Sequence, residues 1–189
     1  GDAGFFDKQG HLVIIDRAKD VGKLSDGSAF APQFIENKLK FSPFIREAIC
    51  FGNQRASVVA MIAIDLTTAG NWAEKRGLPY TSYVDLAQKP EMAELIRGEI
   101  EKCNAGLPPQ TQIRRFLLLT KDFDADDAEI TRTRKLRRAF IADKYASGIH
   151  VKVIGARDGD FKSRETDLRG GFRAVPISGR STVIAQAGT

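Results

Sequence analysis

Two short segments carry residue types that could do chemistry. The first, residues 17–36, sets Arg17, Lys19, Asp20 and Lys23 ahead of Ser25, Asp26, Gly27 and Ser28. Cations supply charge, glycine permits close backbone approach and hydroxyls supply hydrogen bonds, which is what a phosphate-bearing ligand needs. The same composition also suits a solvated surface connection. The second segment, residues 131–138, reads TRTRKLRR and holds five cations in eight residues. Lys135 stands at the end of its hydroxyl-rich part and at the start of an expected helix. From there an ammonium can reach into a neighbouring site as a mobile point charge and stabilise negative charge developing on a phosphate or carboxylate. A basic surface helix has the same composition, and so does a strip that lies along a nucleic-acid backbone. No RNP-like aromatic run or zinc-finger spacing accompanies it.

The rest of the composition narrows the class. With 189 residues, 29 Lys+Arg against 24 Asp+Glu, and 42% hydrophobic residues, the chain is globular rather than disordered or collagenous. Its net charge of +5 favours anionic partners only where the cations cluster. Cys50 lies in an apolar run and Cys103 on a helical stripe, so both read as packing residues of a reducing compartment. With His11 and His150 as the two histidines and no CxxC spacing, no metal site is expected. The longest strongly apolar stretch, residues 57–64, falls far short of the roughly 18 residues of a membrane helix. Gly1 begins the chain without Met and without a signal-like leader, which reads as a piece of a longer protein.

The elements that must position these segments follow from periodicity and turn residues. Residues 5–15, with Lys8-Gln9-Gly10 at the centre, predict an antiparallel hairpin ending at Asp16. Residues 17–31 are too polar to be core and read as a surface loop. Pro32 opens a helix with Phe34, Ile35 and Leu39 inward, and Pro43 closes it. Residues 45–51, a Gly52-Asn53 turn and residues 57–64 predict a second hairpin, its almost wholly apolar second strand central. Helices are predicted over 67–76 and 90–104, the latter with Met92, Leu95, Ile96, Ile100 and Cys103 on one face. A strand over 113–119 pairs with the central one. An acidic turn leads into the basic octamer and a last amphipathic helix with Leu136, Phe140, Ile141 and Tyr145 inward. The whole is α+β: an N-terminal hairpin and a central mixed sheet of about three strands flanked by helices. After Gly148 the texture changes to a strand-rich or flexible extension, with short β-like runs at 172–177 and 182–185.

In their order these motifs acquire a further meaning. Gly1-Asp2, the hairpin, Asp16-Arg17-Ala18-Lys19-Asp20, Lys23-Leu24-Ser25-Asp26-Gly27, Pro32 with Ile35-Glu36, and the octamer around Lys135 resemble the C-terminal part of the adenylate-forming enzymes. The likeness is greatest to long-chain fatty acyl-CoA synthetases and covers residues 1–145. It implies a small mobile C-terminal domain of a two-step ligase: ATP and a fatty acid give an acyl-adenylate, the domain rotates, and coenzyme A forms the thioester. Residues 1–16 would then be the end of the large domain and the approach to the hinge, 17–148 the C-terminal domain, and 149–189 the extension.

The resemblance also implies roles. Asp2 falls at the family's ribose-holding carboxylate, and Arg17 at an Arg that contacts the same ribose. Lys19 falls at the hinge, and Lys23, Ser25, Gly27 and Ser28 fall in the loop lining the coenzyme A channel. Lys135 falls at the adenylation lysine; Arg134 stands where many relatives carry Gly. The Mg2+ that accompanies ATP, the fatty-acid tunnel and the phosphate loop would lie in a large N-terminal domain, the expected partner, so this chain alone should be inactive. A cytoplasmic location follows, and a fatty substrate allows peripheral contact with the inner face of a membrane. Two other readings stay open: a non-enzymatic basic module binding nucleic acid or an acidic partner, and an adenylating enzyme for another acyl class or a carrier-protein acceptor.

Overall fold

The uniformly apolar strand at 58–64 is explained by what lies on its two faces. In the computed structural model, which describes residues 1–18, 20–132, 135–144 and 173–176, this strand is interior to a four-stranded sheet. We label it β6 (Val58–Ile64); β5 (Ile45–Phe51) pairs with it antiparallel and β7 (Ile113–Leu118) parallel. β8 (Arg173–Pro176) adds an antiparallel edge to β7, a fourth strand beyond the three expected. Successive side chains point to opposite faces of a strand. Ala60, Ile62 and Ile64 therefore enter the larger core with Ala48, Cys50, Phe116 and Leu118, while Met61 and Ala63 enter a smaller one with Ile49, Phe51 and Leu117. A strand covered on both faces loses the usual polar alternation.

Helices cover the larger core. In α1 (Pro32–Leu39) the side chains of Ile35 and Leu39 are buried, and Lys38 lies 5.3 Å over the Phe34 ring. α2 (Leu66–Glu74) starts on Asp65, which accepts the Thr68 N–H at 2.9 Å. The parallel β6–β7 pairing requires a long crossover, which α2, α3 (Tyr83–Gln88) and α4 (Pro90–Ala105) supply. α4 buries Met92, Ile96 and Ile100 as its periodicity predicts. At its end the Asn104 amide donates to the Ile113 carbonyl and accepts its N–H, at 2.9 and 2.8 Å, fixing where β7 begins. α3 has no periodic signal in the sequence, since six residues carry too little periodicity. Its signal was local: Ser82 accepts the Asp85 N–H and Asp85 accepts the Thr81 N–H.

Two expectations near the chemistry need correction. The stretch after Arg17 is not all surface loop: Leu24 and Phe30 are buried in the larger core, and β3 (Gly22–Lys23) pairs with β4 (Ala29–Phe30). Lys135 does not begin a helix either. It lies next to the isolated Ile130–Leu136 bridge, and α5 (Arg138–Lys144) starts three residues later, burying Ile141 in the smaller core and leaving Phe140 exposed. Tyr145 lies outside the described residues, as does the expected strand at 182–185.

Candidate functional site

Three groups of expected site residues sit in three separate hairpin segments, tied to α1, to the β5–β6 connection, and to α1 with β5, respectively. The N-terminal hairpin forms the first. β1 (Asp2–Phe6) and β2 (Leu12–Arg17) pair so that Asp2 stands opposite Arg17, and the Ala18 N–H closes the ladder on the Gly1 carbonyl at 3.0 Å. The two residues expected at a ribose are thus brought to one end of one hairpin. Asp16, one residue before, is buried and accepts the Gln33 N–H at 2.9 Å. The N-cap position of α1 is Ala31, which has no side-chain acceptor, so Asp16 does the capping from another element. This bond fastens the hairpin to α1. Lys19, the expected hinge, lies outside the described residues.

The second group is the tight turn between β3 and β4. Lys23 and Ser25 are exposed; the Leu24 N–H reaches the Ser28 carbonyl at 2.9 Å and the Gly27 N–H reaches the Leu24 carbonyl at 3.0 Å. Gly27 has φ +85°, a left-handed conformation that glycine adopts freely, and nothing lies within 4 Å of where a Cβ would stand. Asp26 accepts the Ser28 N–H at 2.9 Å, and this bond holds its carboxyl below the usual carboxylate range. The turn rests on the β5–β6 connection: Lys23 N–H donates to Asn53 Oδ1 at 3.1 Å, and Ser25 N–H donates to the Arg55 carbonyl at 2.9 Å. The glycine required for close approach is Gly22, whose Cβ would stand 2.5 Å from Asn53 Oδ1.

The third group surrounds Lys135. Ile130 and Leu136 form an antiparallel bridge, a hairpin-like pairing, and Lys135 stands exposed beside it. Thr131 brackets the lysine: its hydroxyl accepts the Lys135 N–H at 3.0 Å, and its own N–H donates to the Lys135 carbonyl at 2.8 Å. Next to the bridge, Arg137 N–H donates to the Glu129 carbonyl at 2.8 Å. Glu129 is fully buried and ion-paired with Lys144 at 2.8 Å and Lys121 at 3.3 Å, so the expected acidic turn is a clamp between this hairpin and α5.

The other side of the hairpin is held by Arg138. Its Nη1 and Nη2 donate to Glu36 Oε1 and Oε2 at 2.6 and 2.9 Å, and Nη1 also donates to the Cys50 carbonyl at 2.8 Å. The Cys50 N–H donates to Glu36 Oε1 at 2.6 Å. Burial works against the charged guanidinium, but the hydrogen bonds and charge of Glu36 outweigh it and hold Arg138 above its usual pKa. Burial, helped by the Glu36 charge, pushes the Cys50 thiol well up. In the sequence Glu36 ends one motif and Arg138 lies in a basic run, and residues 102 apart carry no local signal of contact. Of the five cations in the octamer, Arg138 is committed to Glu36. Arg137 is committed to the Ala128 carbonyl at 3.1 Å and to the Phe140 ring at 5.0 Å. Arg134 lies outside the described residues.

The α+β fold agrees with what comparison with known proteins finds. Residues 19–152 match the AMP-binding enzyme C-terminal domain, and the chain belongs to that family. Among curated relatives, the long-chain-fatty-acid–CoA ligase FadD15 of Mycobacterium tuberculosis is 31% identical over 152 residues, covering 80% of this chain and 25% of the relative. Long-chain-fatty-acid–CoA ligase 1 of Homo sapiens is 30% identical over 152 residues, covering 79% of this chain and 22% of the relative. The chain spans about a quarter of the length of these relatives. The adenylation domain of a carboxylate reductase from Mycobacterium chelonae has a similar fold, with TM-score 0.58 and 22% identity over 76% of this chain and 23% of that one. The resemblance drawn from the ordered motifs and the α+β fold class both stand.

Proposed function

We propose that this chain is the mobile C-terminal domain of a long-chain fatty acid–CoA ligase, docking on a large N-terminal domain. In the first step a fatty-acid carboxylate oxygen attacks the α-phosphorus of ATP and pyrophosphate leaves; in the second the coenzyme A sulfur attacks the acyl carbon and AMP leaves. Lys135 is assigned to the first step, where its ammonium stabilises charge passing to the pyrophosphate. Asp2 and Arg17 are assigned to the ribose, Lys23, Ser25, Gly27 and Ser28 to the coenzyme A channel after rotation, and Lys19 to the hinge. The Mg2+ bound with ATP is placed in the large domain, and 17–148 is the unit that rotates, between the approach at 1–16 and the extension at 149–189. No described helix is long and apolar enough to cross a membrane. The fatty substrate is the reason to propose a cytoplasmic enzyme with peripheral membrane contact.

The observation that carries this reading is the presentation of Lys135. Its backbone is fixed on both sides by Thr131, while its ammonium has no hydrogen-bond or ion-pair partner among the described residues. The basic-module reading is weakened by the same geometry, because Arg138 is turned in to Glu36 and the Cys50 carbonyl and Arg137 is engaged by the Ala128 carbonyl and the Phe140 ring. The acyl class rests on the curated relatives, both named as long-chain ligases. In the full-length protein, Lys135→Ala should abolish fatty-acid-dependent ATP–pyrophosphate exchange and spare thioester formation from supplied acyl-adenylate. Equal loss of both half-reactions would overturn the assignment.

A further inference from the structure

The adenylation lysine proposed above has no side-chain restraint of its own within the described residues, so its position is set by what holds the hairpin beneath it. One side is held by the Ile130–Leu136 bridge and the buried Glu129 clamp. The other is held by Arg138, three residues after Lys135, whose planar fork meets both oxygens of Glu36. Two parallel charge-assisted bonds fix orientation as well as distance, which a lysine at position 138 could not reproduce. Glu36 is itself fixed by the Cys50 N–H of β5 and lies one turn along α1 from Gln33, the residue capped by Asp16. The chain of contacts therefore runs from the Asp2–Arg17 hairpin through Asp16, α1 and Glu36 to Arg138 and Lys135. A buried ion pair contributes little stability over a well-packed apolar pair, so stability alone is a weak reason for one here. A misplacement of about 1 Å at a reacting group, by contrast, costs on the order of 100-fold in rate.

We infer that Glu36 and Arg138 form a positioning pair that sets where Lys135 presents its ammonium relative to the ribose-side hairpin during adenylate formation. This rests on the assignment of Lys135 to that step. Neither residue touches substrate; both act through the hairpin.

The test uses the full-length protein and three variants, Lys135→Ala, Arg138→Lys and Glu36→Gln, each assayed in both half-reactions. Arg138→Lys should lower kcat for ATP–pyrophosphate exchange about 10- to 100-fold with KM for ATP little changed, and leave thioester formation from supplied acyl-adenylate within about twofold. Glu36→Gln keeps the shape and an acceptor oxygen and should show the same selectivity with a smaller loss, so it decides the matter where Arg138→Lys does not fold. If Lys135→Ala leaves exchange intact, the functional reading itself fails. If Lys135→Ala abolishes exchange while the two other variants leave it unchanged, or depress both half-reactions alike, the pair is structural only and the inference is overturned.

Discussion

The Glu36–Arg138 pair also makes a quantitative prediction about folding. Arg138→Met leaves a Glu36 carboxylate that is only 4% exposed facing a thioether, with the Cys50 N–H still bonded to it. Glu36→Gln leaves a guanidinium without its counter-charge. Breaking a fully buried pair costs about 3–5 kcal/mol, but the Arg138 side chain keeps 32% of its exposure, and water can compensate part of the loss. Each single variant should therefore lose about 2–3 kcal/mol. The double variant, which no longer buries an unpaired charge, should lose about as much as either single, a coupling of about 2 kcal/mol. Trp72, the one tryptophan of the chain, packs partly buried against the larger core and reports unfolding by fluorescence in urea. If the two losses add to within about 0.5 kcal/mol, the residues are energetically independent and the structural link between α1 and the Lys135 hairpin is refuted.

Other expectations concern the elements that support the site. The Thr68 backbone N–H lowers the Asp65 pKa, against a smaller opposing effect of burial, and a group depressed in the folded state stabilises it above its unfolded value of about 3.9. That contribution is lost as the pH falls through the folded value. Asp65→Asn keeps the cap and loses the charge, so wild type should be the more stable at pH 7, with the difference closing at lower pH; a difference that widened toward pH 3 would contradict the assignment. Asp65→Ala removes the cap altogether and should cost about 1 kcal/mol in the same denaturation experiment. Gly22→Ala places a Cβ 2.5 Å from Asn53 Oδ1, the acceptor of the Lys23 N–H, and should cost about 1–3 kcal/mol. In an Asn53→Ala background the obstructing atom is gone, so the same substitution should cost clearly less; an unchanged cost would mean that the strain lies elsewhere.

What was legible in the sequence was local. The 3.6-residue spacing of Met92, Ile96 and Ile100 marked α4, and all three are fully buried. The unbroken apolar run of β6 marked a central strand, and Pro32 marked the first turn of α1. The order of motifs along the chain was enough to place it in a family. Apart from that order, each of these signals depends on neighbours within about one turn of helix or one hairpin, where the chain itself sets the distance.

The tertiary structure decided the rest. That β7 runs parallel to β6 depends on the crossover through α2, α3 and α4 and on Asn104 gripping Ile113, neither of which has a composition of its own. Leu24 and Phe30 looked like part of a polar loop because the residues around them are polar; their burial follows from the approach of Gly52, whose missing Cβ leaves room for both side chains. Ala31 is a poor helix start by type, and only the fold supplies Asp16 in its place. Glu36 and Arg138 read as an unremarkable acid and one cation of five until folding brings them together across 102 residues. A carboxylate and a guanidinium become partners because the fold removes water from around them, and sequence spacing does not encode which pairs will lose it.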